Sequence, residues 1–240
     1  MKVLVGDPGE QLVQTLGEIL QDAGFCVLTA QDGPQALAVW EAERPDLVLL
    51  EDRQLPRLAG SVVARAIRQR GGRTPVILLS EHPTEDAIIH GLESGADDYL
   101  AKRISLRQLL ARSKAFLRRA AGVQDRAPAS EVRVGGWRLD LVTCKVTTPV
   151  GQSVPLTYPE YRLLHLLLSN VGQAVSHAQL AKACWGSSDQ QTMQLLKPHL
   201  TRVRRKLGLG VRGPQAIEAV PGMGYRLVLL DCTSPRSIVN

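Results

Sequence analysis

Long apolar runs are missing from this 240-residue chain. None approaches the roughly 20 residues that a membrane-spanning helix needs. The N-terminal stretch also lacks the cationic, apolar and cleavage segments of a secretory signal, so the expectation is a cytoplasmic protein without a membrane partner. Cysteine is sparse: Cys26, Cys144, Cys184 and Cys232 are scattered, with no close pair of the kind a thiolate metal site or redox motif requires. Buried thiols in a reducing compartment are the expectation. There is no internal repeat. The first strand–helix junction, Gly6-Asp7-Pro8-Gly9, lacks the glycine pattern that cradles a nucleotide phosphate, which argues against a nucleotide- or flavin-dependent enzyme.

What is present is uneven. Residues 1–130 hold 16 Lys and Arg against 17 Asp and Glu, a net −1, whereas residues 131–240 hold 13 against 6, a net +7. A neutral half joined to a basic half points to a polyanionic partner for the second half alone. The length suffices for two domains, each with its own core.

In the first half, the short apolar runs Val3–Val5, Cys26–Thr29, Leu47–Leu50, Val76–Leu79 and Tyr99–Ala101 read as strands. Helical stretches lie between and after them, near Glu10–Ala23, Pro34–Glu43, Gly60–Gln69, Glu85–Ser94 and Leu106–Arg119. Strands too apolar to alternate belong inside a parallel sheet covered on both faces. Five such units predict a flavodoxin-like (βα)5 domain of the α/β class, with its site at the carboxyl ends of the strands. Those ends carry Asp7, the pair Glu51 and Asp52, Ser80 and Lys102. Carboxylates, a hydroxyl and a lysine converging on one crevice suit a divalent cation and a phosphoryl group; the alternative is that polar residues simply cap buried strands.

The second half reads as α+β. Short strands (Val132–Leu139, Lys145–Thr148, Ser153–Leu156) precede a helix opened by Thr157 with Glu160 three residues on, a capping box. A second helix spans Ser176–Cys184, and a hairpin pairs Ile217–Val220 with Tyr225–Leu229. Between them runs Gln194–Leu207, QLLKPHLTRVRRKL. As a helix it places Leu196, Leu200, Val203 and Leu207 on one stripe. Gln194, Thr201, Arg202 and Arg205 fall opposite, with His199 and Lys206 on one flank and Lys197 and Arg204 on the other. Pro198 inside this stretch predicts a kink, or a helix that starts after Gln194.

The motifs KVLVGD, RPDLVLLED, LPRLAG, TPVILLS, GLESGADDYLAK and LLARSKAFLRR resemble the receiver domains of bacterial response regulators over residues 1–120. The resemblance implies that Asp52 is the phospho-acceptor, Lys102 the active-site lysine, Ser80 the switch hydroxyl and Tyr99 the switch aromatic. The chain departs from that pattern in two places: Pro8 stands where a second metal-binding acid is expected, and Arg103 where proline is. The acceptor is also ambiguous, because counting back from Pro56 and Gly60 selects Asp52 and counting forward from Pro45 selects Glu51. Taking Asp52 requires an extra residue near the strand end, absorbed by a bulge. The expectation is a weak Mg²⁺ site at Asp7 and Asp52, with no cofactor required. Glu93, Asp97, Asp98, Arg112 and Arg119 fall where the subfamily forms reciprocal ion pairs across a two-fold homodimer interface.

LTYPEYRLLHLLL, VSHAQL, WG, PHLTRVRRKL and GMGYRL resemble the winged helix-turn-helix domain of OmpR/PhoB-type regulators over residues 132–230. Residues 121–131 form the expected linker and 231–240 a disordered tail. The resemblance implies that the Gln194–Leu207 helix enters the major groove of double-stranded promoter DNA. Arg202 is then the best candidate for base contact, beside Thr201 and Arg205, with Gln194, Lys197, His199, Arg204 and Lys206 on the same surface. Arg226 is left as the cation of the wing, since Pro221 stands where the family has arginine. The loop Gly186–Gln191 falls where this family touches RNA polymerase. The function so implied is a dimeric, sequence-specific transcription regulator, not an enzyme, with little dependence on phosphorylation. The alternative is a conventional regulator in which a histidine kinase phosphorylates Asp52.

Overall fold

The computed structural model describes residues 1–120, 131–140 and 144–229, without the side chains of residues 106, 107, 115, 118–120 and 131. The expected linker (apart from residue 131) and tail therefore lie outside the described residues, as does Cys232. The chain divides into two units, Met1–Arg126 and Ala127–Asn240.

The first unit alternates strand and helix throughout: β1 (Lys2–Gly6), α1 (Glu10–Asp22), β2 (Cys26–Ala30), α2 (Gly33–Glu43), β3 (Leu47–Glu51), α3 (Gly60–Gln69), β4 (Val76–Ser80), α4 (Glu85–Ser94), β5 (Asp98–Ala101) and α5 (Leu106–Ala120). The sheet is parallel, in the order β2-β1-β3-β4-β5. Every residue of β3 and β4 is buried, which is why these runs are apolar without alternation. Helix starts follow local chemistry. Asp32 caps α2 by accepting from the Gln35 N–H at 2.8 Å, with Pro34 in the first turn, and Thr84 caps α4. The edge strand β2 leaves Cys26 exposed, contrary to the expected burial; Cys144 is half-buried and Cys184 buried.

Ladder register decides where the extra residue goes. Glu51 pairs with Leu79 in sequence with Val48 and Val76, and the Asp52 N–H still bonds the Leu79 carbonyl at 2.9 Å. The strand therefore carries no bulge. The extra residue is taken up in the loop before α3, which holds Arg57 in the left-handed region at φ 64°. Gly60 closes that loop: a Cβ there would stand 2.4 Å from the Glu51 carbonyl oxygen.

The second unit opens with an antiparallel sheet of β6 (Glu131–Val134), β7 (Trp137–Asp140), β8 (Lys145–Thr147) and β9 (Ser153–Pro155). Next come α6 (Tyr158–Ser169), β10 (Ala174–Ser176), α7 (His177–Trp185), α8 (Gln190–Leu207), β11 (Gln215–Val220) and β12 (Gly224–Leu229). Leu163, Leu164, Leu167 and Leu168 of α6 are buried, as their spacing predicts, and they join Leu180, Leu196, Leu200, Val203 and Ile217 in the core. The β11–β12 hairpin gains a third strand that the sequence reading missed, β10, only three residues long. It fits because Gly224 has no side chain: a Cβ there would stand 1.9 Å from the Val175 carbonyl oxygen.

α8 starts four residues before Gln194 and runs through Pro198, so the expectation of a later start is overturned. Asp189 accepts from the Thr192 N–H at 2.8 Å, and the Thr192 hydroxyl turns back to the Asp189 carbonyl at 2.9 Å. This cap and the burial of Leu195 and Leu196 ahead of the proline outweigh an interior-proline cost of about 3 kcal/mol. Pro198 itself is buried rather than turned outward.

Candidate functional sites

At the carboxyl edge of the parallel sheet, Asp7, Glu51, Asp52 and Ser80 are all buried, yet they form two groups. Asp7 Oδ1 accepts from the Gly9 N–H at 2.8 Å and its Oδ2 lies 2.7 Å from the Lys102 ammonium. That pair borders a recess of about 750 Å³ lined also by Pro8, Gln54, Glu81 and Arg103. Asp52 instead lines a recess with Arg53, Ser61, Thr84, Asp86 and His90. Its Oδ1 accepts from the Ser61 N–H and its Oδ2 from the Tyr99 hydroxyl, both at 2.9 Å. Tyr99 can turn inward because Gly91 leaves room; a Cβ there would stand 2.6 Å from the ring.

Glu51 ends the strand. Its Oε2 accepts from the Gln54 N–H and, at 2.9 Å, from the Leu55 N–H. Burial pushes the Glu51 carboxyl above its ordinary value, against the opposing pull of the Gln54 N–H and the Lys102 charge. Burial also pushes the Tyr99 phenol up, with the Asp52 charge adding to it and the Ser80 hydroxyl opposing. Asp7 and Asp52 thus line different recesses at the sheet edge. Pro8 contributes no side-chain oxygen; among the described residues Asp7 Oδ2 has only the Lys102 ammonium beside it, and Glu51 Oε1 is buried without a hydrogen-bond partner. Among the described residues no group of three or more His, Cys, Asp or Glu side chains could hold a metal ion.

Two of the carboxylates expected at the dimer interface meet cations of their own chain. Asp97 accepts from Arg68 at 2.6 Å and from the Val76 N–H at 2.8 Å, and Asp98 holds Arg112 at 2.9 Å, all within one chain and all buried or nearly so. Asp97 precedes β5 and Asp98 opens it, both buried where an unpaired charge would be costly, and each has a cation of the same chain beside it. Glu93 is exposed; the Arg119 side chain lies outside the described residues.

In the second unit, α6 reaches α8 through one side chain. Glu160, fully buried, accepts from the Thr157 N–H at 2.8 Å, completing its capping role. It also lies 3.0 Å from Arg202 and 2.6 Å from Lys206. Burial pushes this carboxyl up, but Arg202 and Lys206 together hold it below its ordinary value. Arg202 is 3% exposed, so the residue expected to touch bases is instead a buried counter-charge. Arg204 donates twice to the Ile217 carbonyl and lies over the Tyr225 ring, 5.9 Å from its centroid. His199 is buried against Trp185, with ring centroids 5.4 Å apart. Arg226 is tied across the hairpin to Glu218 at 2.7 Å.

The outward line of α8 is what remains: Gln190, Gln194, Lys197, Thr201 and Arg205, with Met193 beside it. Of the expected contact set, Gln194, Lys197, Thr201 and Arg205 lie there, while His199, Arg202, Arg204 and Lys206 turn toward the domain. Gln190 and Met193 were missed because the helix was started too late; the Asp189–Thr192 cap spacing was the signal. The connection before α8 is only Gly186–Asp189, since Gln190 and Gln191 belong to the helix. No helix among the described residues is long and apolar enough to cross a membrane.

Comparison with known proteins matches this geometry. Residues 3–114 match the response regulator receiver domain, and residues 151–227 match the C-terminal domain of transcriptional regulatory proteins. The chain is 35% identical over 226 residues to the sensory transduction protein RegX3 of Mycolicibacterium smegmatis, covering 94% of this chain and 98% of that one. It is also 35% identical over 225 residues to the DNA-binding response regulator MtrA of the same organism, covering 94% and 96%. A solved RitR variant shares the fold, with a TM-score of 0.70 at 21% identity over 95% of this chain and 99% of its own. The chain is a member of the OmpR/PhoB family of response regulators, a DNA-binding transcription factor rather than an enzyme, built from a receiver and a winged-helix domain.

Proposed function

We propose that this regulator binds promoter DNA as a homodimer and that its receiver works with little dependence on phosphorylation. The observation that carries the reading is the strand end. Glu51 stands there in ladder register, while Lys102 is held by Asp7 and both oxygens of Asp52 are engaged. A glutamate at that position offers a permanent carboxylate in place of a transient acyl phosphate, and the reading needs no cofactor. Activity is then set by protein level, partner binding or another ligand. Incubation with radiolabelled acetyl phosphate and Mg²⁺ should leave the protein essentially unlabelled. A footprint with and without that treatment should be the same. Fast, Mg²⁺-dependent labelling that Asp52→Asn removes would overturn the proposal in favour of a kinase-fed switch at Asp52.

In this reading α8 lies in the major groove, with Gln194, Lys197, Thr201 and Arg205 toward the duplex. The wing adds little minor-groove readout, because Pro221 has no cationic side chain and Arg226 is paired with Glu218. Pro221→Arg should therefore raise affinity for duplexes with an A·T tract under the wing; unchanged affinity and preference would contradict this. Receiver pairing proceeds without Asp97, Asp98 or Arg112, whose charges are satisfied within the chain. Sedimentation of Arg112→Lys should then show the parent's association state. RNA polymerase is the further partner, approached through the exposed Ser188 region before α8.

A further inference from the structure

We propose that α8 selects A·T base pairs in the major groove, with Gln194 reading adenine and Met193 packing on a thymine methyl. The inference rests on the reading that α8 enters the major groove, and it assigns the chemistry of what is read there. The fold has removed the usual guanine readers. The forks of Arg202 and Arg204 are turned onto Glu160 and the Ile217 carbonyl, and Lys206 onto Glu160. The one arginine left on the outward line is Arg205, in the last turn. It lies about 22 Å along the helix from Gln190 at 1.5 Å per residue. A recognition helix places its N-terminal residues on base edges, leaving its far end nearer the backbone. The N-terminal half of α8 presents no charge outward before Lys197; it presents Gln190, Met193 and Gln194.

A glutamine amide matches the N6 donor and N7 acceptor of adenine, and an apolar side chain matches the C5-methyl of thymine. Met193 is 39% exposed beside that amide, on a helix whose core side is already filled by Leu195, Leu196, Leu200 and Val203. A flexible thioether at that place is suited to a methyl group on the neighbouring step. Lys197, Thr201 and Arg205 then follow the phosphates, which hold register without reading sequence.

The test uses the full chain. Duplexes are selected from a randomised pool at fixed salt. Binding to the selected duplex is then titrated with single thymines replaced by uracil, which removes only the methyl, or single adenines by 7-deaza-adenine, which removes only N7. At one A·T pair, 7-deaza-adenine should weaken the parent roughly tenfold and leave Gln194→Ala unaffected. At an adjacent pair, uracil should weaken the parent and not Met193→Ala. Both side chains are exposed, so thermal melts of these variants should match the parent. A G·C core whose preference survives Gln194→Ala and Met193→Ala but is lost in Lys197→Ala would overturn the assignment. Failure of the parent to retard any duplex, even at low salt, would instead bring down the underlying major-groove reading.

Discussion

Replacing Arg202 with alanine should unfold the winged-helix unit more readily instead of merely weakening its grip on DNA. Arg202 is 3% exposed and 3.0 Å from Glu160, which is itself fully buried. Removing one partner of a buried ion pair costs about 3–5 kcal/mol, because the other charge is stranded. Lys206 remains 2.6 Å from the same carboxylate, but it is partly solvated, so the low end, about 3 kcal/mol, is expected. For a unit of this size that corresponds to a fall in Tm on the order of 10 °C. Arg205→Ala, at an exposed position of the same helix, should stay within about 0.5 kcal/mol of the parent. Differential scanning calorimetry of the full chain separates the two. The double variant Glu160→Gln with Arg202→Met should recover part of the loss, since it strands no charge at that contact.

The acid limb gives an independent check. Glu160 is held below its ordinary value in the folded state, so its contribution is present above the unfolded carboxylate pKa and is lost as pH falls through the folded one. The deficit of Arg202→Ala should accordingly be largest at pH 7 and shrink below about pH 4.5. An Arg202→Ala protein that melts with the parent while losing DNA affinity would refute the buried counter-charge and restore Arg202 to the DNA surface.

Glu51→Gln should raise receiver stability at pH 7, with the gain fading on acidification. The folded Glu51 pKa lies above its ordinary value, so its ionised form burdens the fold as pH rises and its protonated form does not; a gain independent of pH would count against this. Tyr99→Phe removes the donor to Asp52 Oδ2 and should cost about 1–3 kcal/mol in urea unfolding of the receiver, whereas an unchanged midpoint would mean that water replaces the bond freely. Arg112→Ala should destabilise the receiver by about 3 kcal/mol or more at all protein concentrations, because it strands the fully buried Asp98. A loss seen only on dilution would return that pair to a subunit interface.

The sequence alone carried what depends on local order. The unbroken apolar runs of β3 and β4 required a sheet covered on both faces. Thr157 with Glu160 marked a helix start, and the uneven charge located the DNA-binding half. Side-chain partnership across elements was not legible, because periodicity says which face a residue occupies only if the helix start and the facing charges are known. A start placed four residues late hid Gln190 and Met193. A carboxylate 42 positions upstream, inside the core, turned Arg202 from an outward charge into a buried one. Ladder register, likewise, and not spacing to a distant proline, put Glu51 at the strand end: hydrogen bonding to β4 fixes each residue of β3, while the loop that follows can absorb one more.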